Sequence, residues 1–386
     1  MMTMVKPEQK LLAVYNVNLK TRGHLGVMRK VVAQAQGFSR NGVRVTMVCG
    51  DGSEIVSLTV INGQQVRRDV IATQVSPGDF FIHVADWVNQ HIQPSDFDWA
   101  YIRYNPMHND ELLHLAESVV NKSTPLFVEM YTLEYQNEMP ADAAIRDQYY
   151  RLQLAQWVTG FFTPSAVCES ALFLQRPLYK MGNGATWVSA QEPGGLADIN
   201  LAFNLIGVGY LAPWHGYDRL FAAIPEFIKA YPDVALRITL VGQGPGAEAL
   251  RKEVQRAGVE TWVEFTGALD AEQLASRYVR SHVGLGTLGF HRTGVKYAEP
   301  LKHREFMLYG LPFVYSVEDA FSRVALPGVW RLPPDDSVVD LIWLYQEYKK
   351  LDKDDVAQTL QTYAESHYSW ERQTANILQT MRATSL

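Results

Sequence analysis

Short apolar runs alternate with amphipathic segments along this sequence, and the series starts afresh near residue 204. Runs of strand length separated by helix-length stretches predict parallel strands joined by crossover helices. In the first half, strands are expected at Leu11–Tyr15, Val43–Val48, Trp99–Arg103 and Leu126–Met130. Helices are expected from about Val27 to Ser39 and from Asp110 to Val120, with Asn18–Gly26 as the loop after the first strand. Ala155–Thr163 leads into a further strand, and Met181–Gly184 forms a loop. The second half repeats the pattern with strands at Asn204–Gly209, Leu236–Val241, Val263–Phe265, Val283–Thr287 and Phe313–Tyr315. Its helices are expected at Asp218–Tyr231, Ala247–Ala257, Ala271–Ser281, Val338–Lys350 and Asp354–Ser366.

The expected fold class is therefore α/β, with two Rossmann-like, doubly wound domains whose strand ends face a central cleft, where such sheets bind ligands. At 386 residues the chain is too long for one ordinary core. The expected division is residues 1–188, a linker at 189–199 marked by Pro193-Gly194-Gly195, and residues 200–368. The last segment, 369–386, is expected to cross back to the first domain.

Composition removes several function classes. Hydrophobic residues at 47% and charged residues at 20% describe a folded chain. A net charge of -6 argues against a general nucleic-acid binder. Cys49 and Cys168, the two cysteines, lie in apolar neighbourhoods and predict no disulfide framework, so a reducing cytoplasm is the expected setting. The N-terminus lacks the pattern of a signal peptide, and no stretch approaches membrane-spanning length. The cluster Lys20, Arg22, Arg29 and Lys30 leaves peripheral membrane contact open, and a solvated helix face explains it equally well.

The densest local signal is Pro300–Val314. Pro300 suits the first turn of a helix, Gly310 suits a left-handed C-cap, and Pro312 prevents continuation. Lys302 and Glu305, three residues apart, share a face. Free N–H groups at the helix start, beginning around Leu301, would take phosphate oxygens together with Lys302. Glu305 would accept hydrogen bonds from ribose hydroxyls. The alternative is an amphipathic surface helix with solvated charges.

Four ordered segments carry a family resemblance. Gly207-Val208-Gly209-Tyr210-Leu211 followed by Trp214–Leu220, then Leu240–Pro245, then Val263–Gly267, then Pro300–Val314, together resemble the C-terminal domain of GT-B glycosyltransferases, specifically the retaining group called family 4. In the first half, Tyr101–Tyr104 and Glu129–Tyr135 look like segments of a bacterial branch making surface polysaccharides or glycoconjugates, and Gly182-Asn183-Gly184 resembles the loop ending the N-terminal domain. The resemblance implies a nucleotide diphosphate sugar as donor, bound by the second domain, and a glycan, lipid-linked or protein acceptor bound by the first. It also implies that no metal or other cofactor is needed.

Breaking a sugar–phosphate bond leaves charge on the departing diphosphate, which must be neutralised. The candidates are His291, Arg292, Lys296 and Lys302, with Lys302 and Arg292 turned inward. Thr287 and Gly289 let backbone approach the phosphates, as do Gly209 and Gly242 at strand ends. Asp96-Phe97-Asp98 has the acidic spacing of metal-dependent transferases but reads as a turn.

The chain departs from the family at several positions. Tyr210 and His215 stand where the resemblance leads one to expect an arginine and a lysine on the diphosphate. A neutral imidazole at His215 can donate a hydrogen bond but supplies no fixed charge. Of the family's two glutamates eight apart, Glu305 is present, Tyr297 occupies the earlier position and Glu299 is offset. Glu129 is a candidate to orient acceptor or reacting sugar, and His24, near Gly26 in the first loop, is a second catalytic candidate. His108 reads as a cap or surface residue.

The expected activity is metal-independent, retaining glycosyl transfer from a nucleotide sugar to a hydroxyl. The rivals are an inactive GT-B subunit that supports a partner, and an epimerase or phosphorylase on the same fold.

Overall fold

The computed structural model describes residues 8–21, 25–106, 110–133, 135–165, 170–188 and 196–384. His24, His108, Cys168 and most of the expected linker lie outside them. Two compact units emerge. One comprises the N-terminal strand, Val27–Gly182 and the chain from Trp370; the other is essentially Asn183–Ser369. No helix among the described residues is long and apolar enough to cross a membrane.

The first unit runs β1 (Gln9–Asn18), α1 (Leu25–Arg40), β2 (Val43–Asp51), β3 (Glu54–Ile61), β4 (Gln64–Ala72), α2 (Phe80–His91) and β5 (Trp99–Arg103). It continues with α3 (Asp110–Val120), β6 (Leu126–Glu129), α4 (Ala141–Ala155), β7 (Gly160–Thr163), β8 (Ser170–Phe173) and β9 (Arg176–Lys180). Among the described residues nine strands form one sheet, in the order β4-β3-β2-β1-β5-β6-β7-β9-β8. From β2 through β9 its neighbours run parallel, flanked by antiparallel pairings at both edges. Along β1 the side chains alternate between two cores. Leu11, Ala13 and Tyr15 join Val31, Ala35 and Phe38 of α1, while Leu12 and Val14 join Phe81, Val84 and Leu115 of α2 and α3. Burial on both faces explains why the strand reads as a continuous apolar run.

The hairpin β3–β4 was not among the expected strands. Its signal is Asn62-Gly63, both residues left-handed, between two alternating runs, which is the chemistry of a tight two-residue turn.

The second unit runs β10 (Ala202–Val208), α5 (Ile224–Ala230), β11 (Ala235–Val241), α6 (Ala247–Ala257), β12 (Val263–Gly267), α7 (Ala271–Tyr278) and β13 (Val283–Leu285). Then follow α8 (Leu301–Leu308), β14 (Phe313–Tyr315), β15 (Val329–Arg331), α9 (Leu341–Lys349) and α10 (Lys353–Tyr368). Its six strands among the described residues are all parallel, in the order β12-β11-β10-β13-β14-β15. This is the doubly wound order in which direction reverses between the first and fourth strands. The expected helix over Asp218–Tyr231 instead begins as a 3-10 segment, Tyr217–Ala223. Pro225, which lacks an N–H, sits in the first turn of α5 and delays regular helix. The final helix, α11 (Trp370–Thr384), returns to the first unit, where Ile377, Leu378 and Met381 join the core beneath α1.

Around α8 the sequence reading needs two changes. Pro300 is the extended residue before the helix and not its first turn, so Leu301 opens it. Nor is α8 a surface helix: Lys302, His303, Arg304, Phe306, Met307 and Leu308 are all buried. Gly310 takes the left-handed conformation, and Leu311 N–H closes the end on the Phe306 carbonyl at 2.8 Å.

Candidate functional site

In the second unit, β10 and β13 lie side by side while their crossovers leave to opposite sides of the sheet. A crevice beyond the carboxyl ends of two such strands is where a doubly wound sheet binds ligand. Gly209 follows β10 there with φ of 154°. A Cβ on Gly209 would lie 2.8 Å from His215 Cε1 and 3.4 Å from Lys302 Nζ. Gly242, at the end of β11, approaches still closer: a Cβ there would lie 1.8 Å from the Gly209 carbonyl oxygen. Both positions require glycine.

Lys302 reaches the crevice from the first turn of α8. Its ammonium donates to the Tyr217 hydroxyl at 3.1 Å and sits 5.4 Å from that ring's centre. The Tyr217 hydroxyl in turn donates to the Val208 carbonyl at 3.1 Å, with the Leu285 carbonyl at 3.5 Å. Tyr217 thus spans the two strands at the reversal. Among the described residues no carboxylate forms an ion pair with Lys302. Burial pushes its ammonium down to about 7, partly opposed by the field of Glu305. His215 stacks on Tyr217 with ring centres 5.5 Å apart, and its buried Nδ1 has no hydrogen-bond partner among the described residues. Burial, then the nearby Lys302, hold its imidazole well below its ordinary value, hence neutral.

Backbone bonds shape the opposite wall. Leu288 N–H donates to the His215 carbonyl at 3.0 Å and Gly289 N–H to the Trp214 carbonyl at 3.1 Å. Thr287 N–H donates to His303 Nε2 at 3.1 Å, so the His303 proton sits on Nδ1 and faces Asp319 at 2.9 Å. Burial keeps this imidazole neutral, pushing it down to about 4. Arg304 bridges Asp319 at 2.5 Å and Glu299 at 2.7 Å, and Glu299 also accepts from Tyr297 at 2.8 Å. These charges pair with one another beneath α8 and fix the start of the helix.

The structure therefore gathers Gly209, His215, Thr287, Gly289 and Lys302 around one strand reversal. Glu305 lies one turn further along α8, its carboxylate accepting from Tyr278 at 2.7 Å. Other candidates are placed differently. Glu299 is turned into the buried network. Arg292 does not point inward as a free cation: it is bound by Asp218 at 2.6 Å and by Asp336 at 2.7 Å, which raise its pKa. His291 joins the same Asp336 at 3.0 Å. Lys296 and Tyr210 are exposed, and Leu301 and Pro300 are half-buried beside the crevice's lysine. Asp96 and Asp98 accept from backbone N–H groups of Gln93 and Lys10, which makes the acidic pair a turn device. Tyr217, Tyr278, His303, Arg304 and Asp319 were not singled out from sequence. Nothing in their spacing announces them.

The first unit holds a second polar centre at its own strand reversal, between β1 and β5. Register places Tyr15 beside Arg103 and Arg103 beside Glu129 at the carboxyl ends of β1, β5 and β6. Glu129 is fully buried. One oxygen accepts from Lys30 at 2.5 Å; the other accepts from Gln34 at 3.0 Å and Tyr101 at 2.6 Å. Burial favours the neutral acid, but Lys30 and then Arg103 outweigh it and bring the carboxyl to about 2. A general base works best near neutral pKa. Glu129 is instead a fixed anion that locks α1 to the sheet. Lys30 is thereby removed from the basic cluster, Lys20 is exposed and pairs with Asp51 at 3.2 Å, and Arg22 lies outside the described residues. Gly26 is exposed at the start of α1 with open space around it.

Comparison with known proteins fits this geometry. Residues 202–342 match the family model of the group 1 glycosyl transferases. Over 73 residues the chain is 38% identical to the GDP-mannose-dependent alpha-(1-6)-phosphatidylinositol monomannoside mannosyltransferase of Mycolicibacterium smegmatis, covering 19% of this chain and 19% of that protein. The fold is similar to sucrose-phosphate synthase from Thermosynechococcus elongatus, with a TM-score of 0.64 at 14% identity over 97% of this chain and 99% of that one. It is also similar to HepE from Anabaena, solved with UDP and glucose, with a TM-score of 0.61 at 14% identity over 97% and 100% of the two chains. The chain thus has the GT-B glycosyltransferase fold over nearly its whole length, and its residues 202–342 match the group 1 glycosyl transferases.

Proposed function

We propose that this protein transfers a sugar from a nucleoside diphosphate sugar to a hydroxyl acceptor. The observation that carries the reading is Lys302: a buried ammonium, without a carboxylate partner among the described residues, at the strand reversal of the region that matches the group 1 glycosyl transferases. A buried cation so placed is complementary to an anion that is brought in from outside. In this reading Lys302 and His215 receive the diphosphate, the Gly209 and Gly289 backbone allows its close approach, and Glu305 accepts from ribose hydroxyls. The same groups would stabilise the departing diphosphate as the glycosidic bond breaks. Two relatives support a nucleotide-sugar donor: HepE was solved with UDP, and the mannosyltransferase is GDP-mannose-dependent.

The reaction is proposed to be retaining and metal-independent, with a glycan, lipid-linked glycan or protein acceptor taken by the first unit. The decisive experiment is to incubate the purified protein with UDP- and GDP-linked sugars and follow binding by thermal shift and turnover by nucleotide release. Stabilisation by at least one nucleoside diphosphate, and acceptor-dependent release of it, is expected. No binding to any of them would refute the proposal and favour a non-catalytic subunit. Turnover without acceptor would point to an epimerase, and turnover requiring inorganic phosphate to a phosphorylase.

A further inference from the structure

Among the described residues, the groups facing Lys302 are unusual for a phosphate site because none forms an ion pair with it. From the Pro213–His215 and Tyr217–Ala223 turns come the His215 imidazole and the Tyr217 hydroxyl. From the ends of β10 and β13 come the carbonyls of Val208 and Leu285, joined to Lys302 only through Tyr217. On its own helix, Glu305 contributes only through its field, and it accepts from Tyr278 of α7. His303 and Arg304 are turned to Asp319 and Glu299, and Asp218 and Arg292 are bound to each other. An amine closed in this way, with a hydroxyl as its sole hydrogen-bond partner here, gains little from being charged until an anion arrives.

We propose that this phosphate site is charged by its own ligand: a nucleoside diphosphate entering beside Gly209 draws a proton from the solvent onto Lys302. The inference rests on the donor reading of the same site. Its basis is the geometry above, and the depressed Lys302 ammonium, at about 7, agrees with it. The proton comes from buffer and returns to it when the nucleotide leaves, so no other reactant is involved. Donor affinity is then pH-dependent in a defined sense. Below about 7 the free site already holds the proton; above that, binding must take one up, and affinity falls as pH rises. The ligand does not confuse the sign, because a terminal phosphate with pKa of about 6 is fully ionised by pH of about 8.

The test is titration calorimetry of the full-length protein with UDP and with GDP at about pH 8, in two buffers of different ionisation enthalpy, which reads the protons exchanged. Uptake of about one proton per nucleotide is expected, with affinity falling up to about tenfold per pH unit above neutrality. The Lys302→Arg variant, whose charge is permanent, should bind with little or no uptake and a flatter pH profile. Binding without proton uptake in the unaltered protein would overturn the proposal and leave the donor reading standing. Unchanged uptake in Lys302→Arg would equally overturn it. Failure of every nucleoside diphosphate to bind would overturn both.

Discussion

The Lys302 ammonium donates to the Tyr217 hydroxyl at 3.1 Å, and that hydroxyl reaches the Val208 carbonyl at 3.1 Å. One hydrogen-bond chain therefore ties the first turn of α8 to the end of β10, across the reversal where the six-stranded sheet changes direction. The position of the ammonium is thus set by the sheet itself.

Removing the Tyr217 hydroxyl should loosen that position while keeping the ring that stacks on His215. Tyr217→Phe is expected to weaken nucleoside diphosphate binding by about 1 kcal/mol, roughly five- to tenfold, with the fold intact. Calorimetric affinity beside a circular dichroism melt checks it; unchanged affinity would free Lys302 from dependence on Tyr217.

Lys302 should cost the unliganded protein stability. Its folded value of about 7 lies below the unfolded value of roughly 10.4, so the unfolded chain binds more protons between them. Stability should therefore rise with pH across that window, be lowest below about 7, and gain nothing further above about 10.4. Lys302→Met should raise the melting temperature at neutral pH by the equivalent of about 1 kcal/mol, flatten the slope and abolish nucleotide binding. A lower melting temperature for this variant would show that the ammonium stabilises the apo fold.

Glu129, by contrast, stabilises the folded state in its charged form, although stability again rises with pH across its window. Its folded value of about 2 lies below an unfolded value of about 4.3, so its contribution is present above the latter and is lost as pH falls through the former. Glu129→Gln leaves Lys30 and Arg103 buried without their counter-charge and should destabilise the protein by about 3–5 kcal/mol in urea unfolding. Near wild-type stability together with lost turnover would instead favour a direct role in orienting acceptor or reacting sugar.

Tyr278 orients the carboxylate expected to read the ribose. Tyr278→Phe should raise KM for the nucleotide sugar several-fold with kcat little changed, and 2′-deoxy nucleotides should lose the discrimination that wild type shows. Equal effects on ribo- and deoxy-nucleotides would remove Glu305 from the ribose.

Much of this architecture was legible in the sequence because buried parallel strands are uninterrupted apolar runs. Leu11–Tyr15 and Trp99–Ile102 announce themselves in that way, whereas Leu236–Val241 reads as an alternation of apolar and polar residues. Lys302, Glu305 and the Gly310 stop were also readable, since helix spacing and capping are local chemistry. What escaped is non-local. Arg103 meets Glu129 only because β5 and β6 align in register, and Lys30 only because α1 packs over that sheet. Arg304 looks like any exposed helical arginine until Asp319 and Glu299 close around it. Arg292 was expected inward because the sequence cannot show Asp218 and Asp336 converging on it. The β3–β4 hairpin is a different case, because its Asn62-Gly63 turn was in plain view.

The most direct test of the central claim is calorimetric affinity for UDP and GDP in the wild-type protein and in Lys302→Ala and Glu305→Ala, each confirmed folded by its melt. If Lys302 and Glu305 hold the donor, the wild type binds at least one nucleotide measurably. Each variant then loses tenfold or more in affinity, about 1.4 kcal/mol. Wild-type affinity retained in both variants would contradict that placement of the donor.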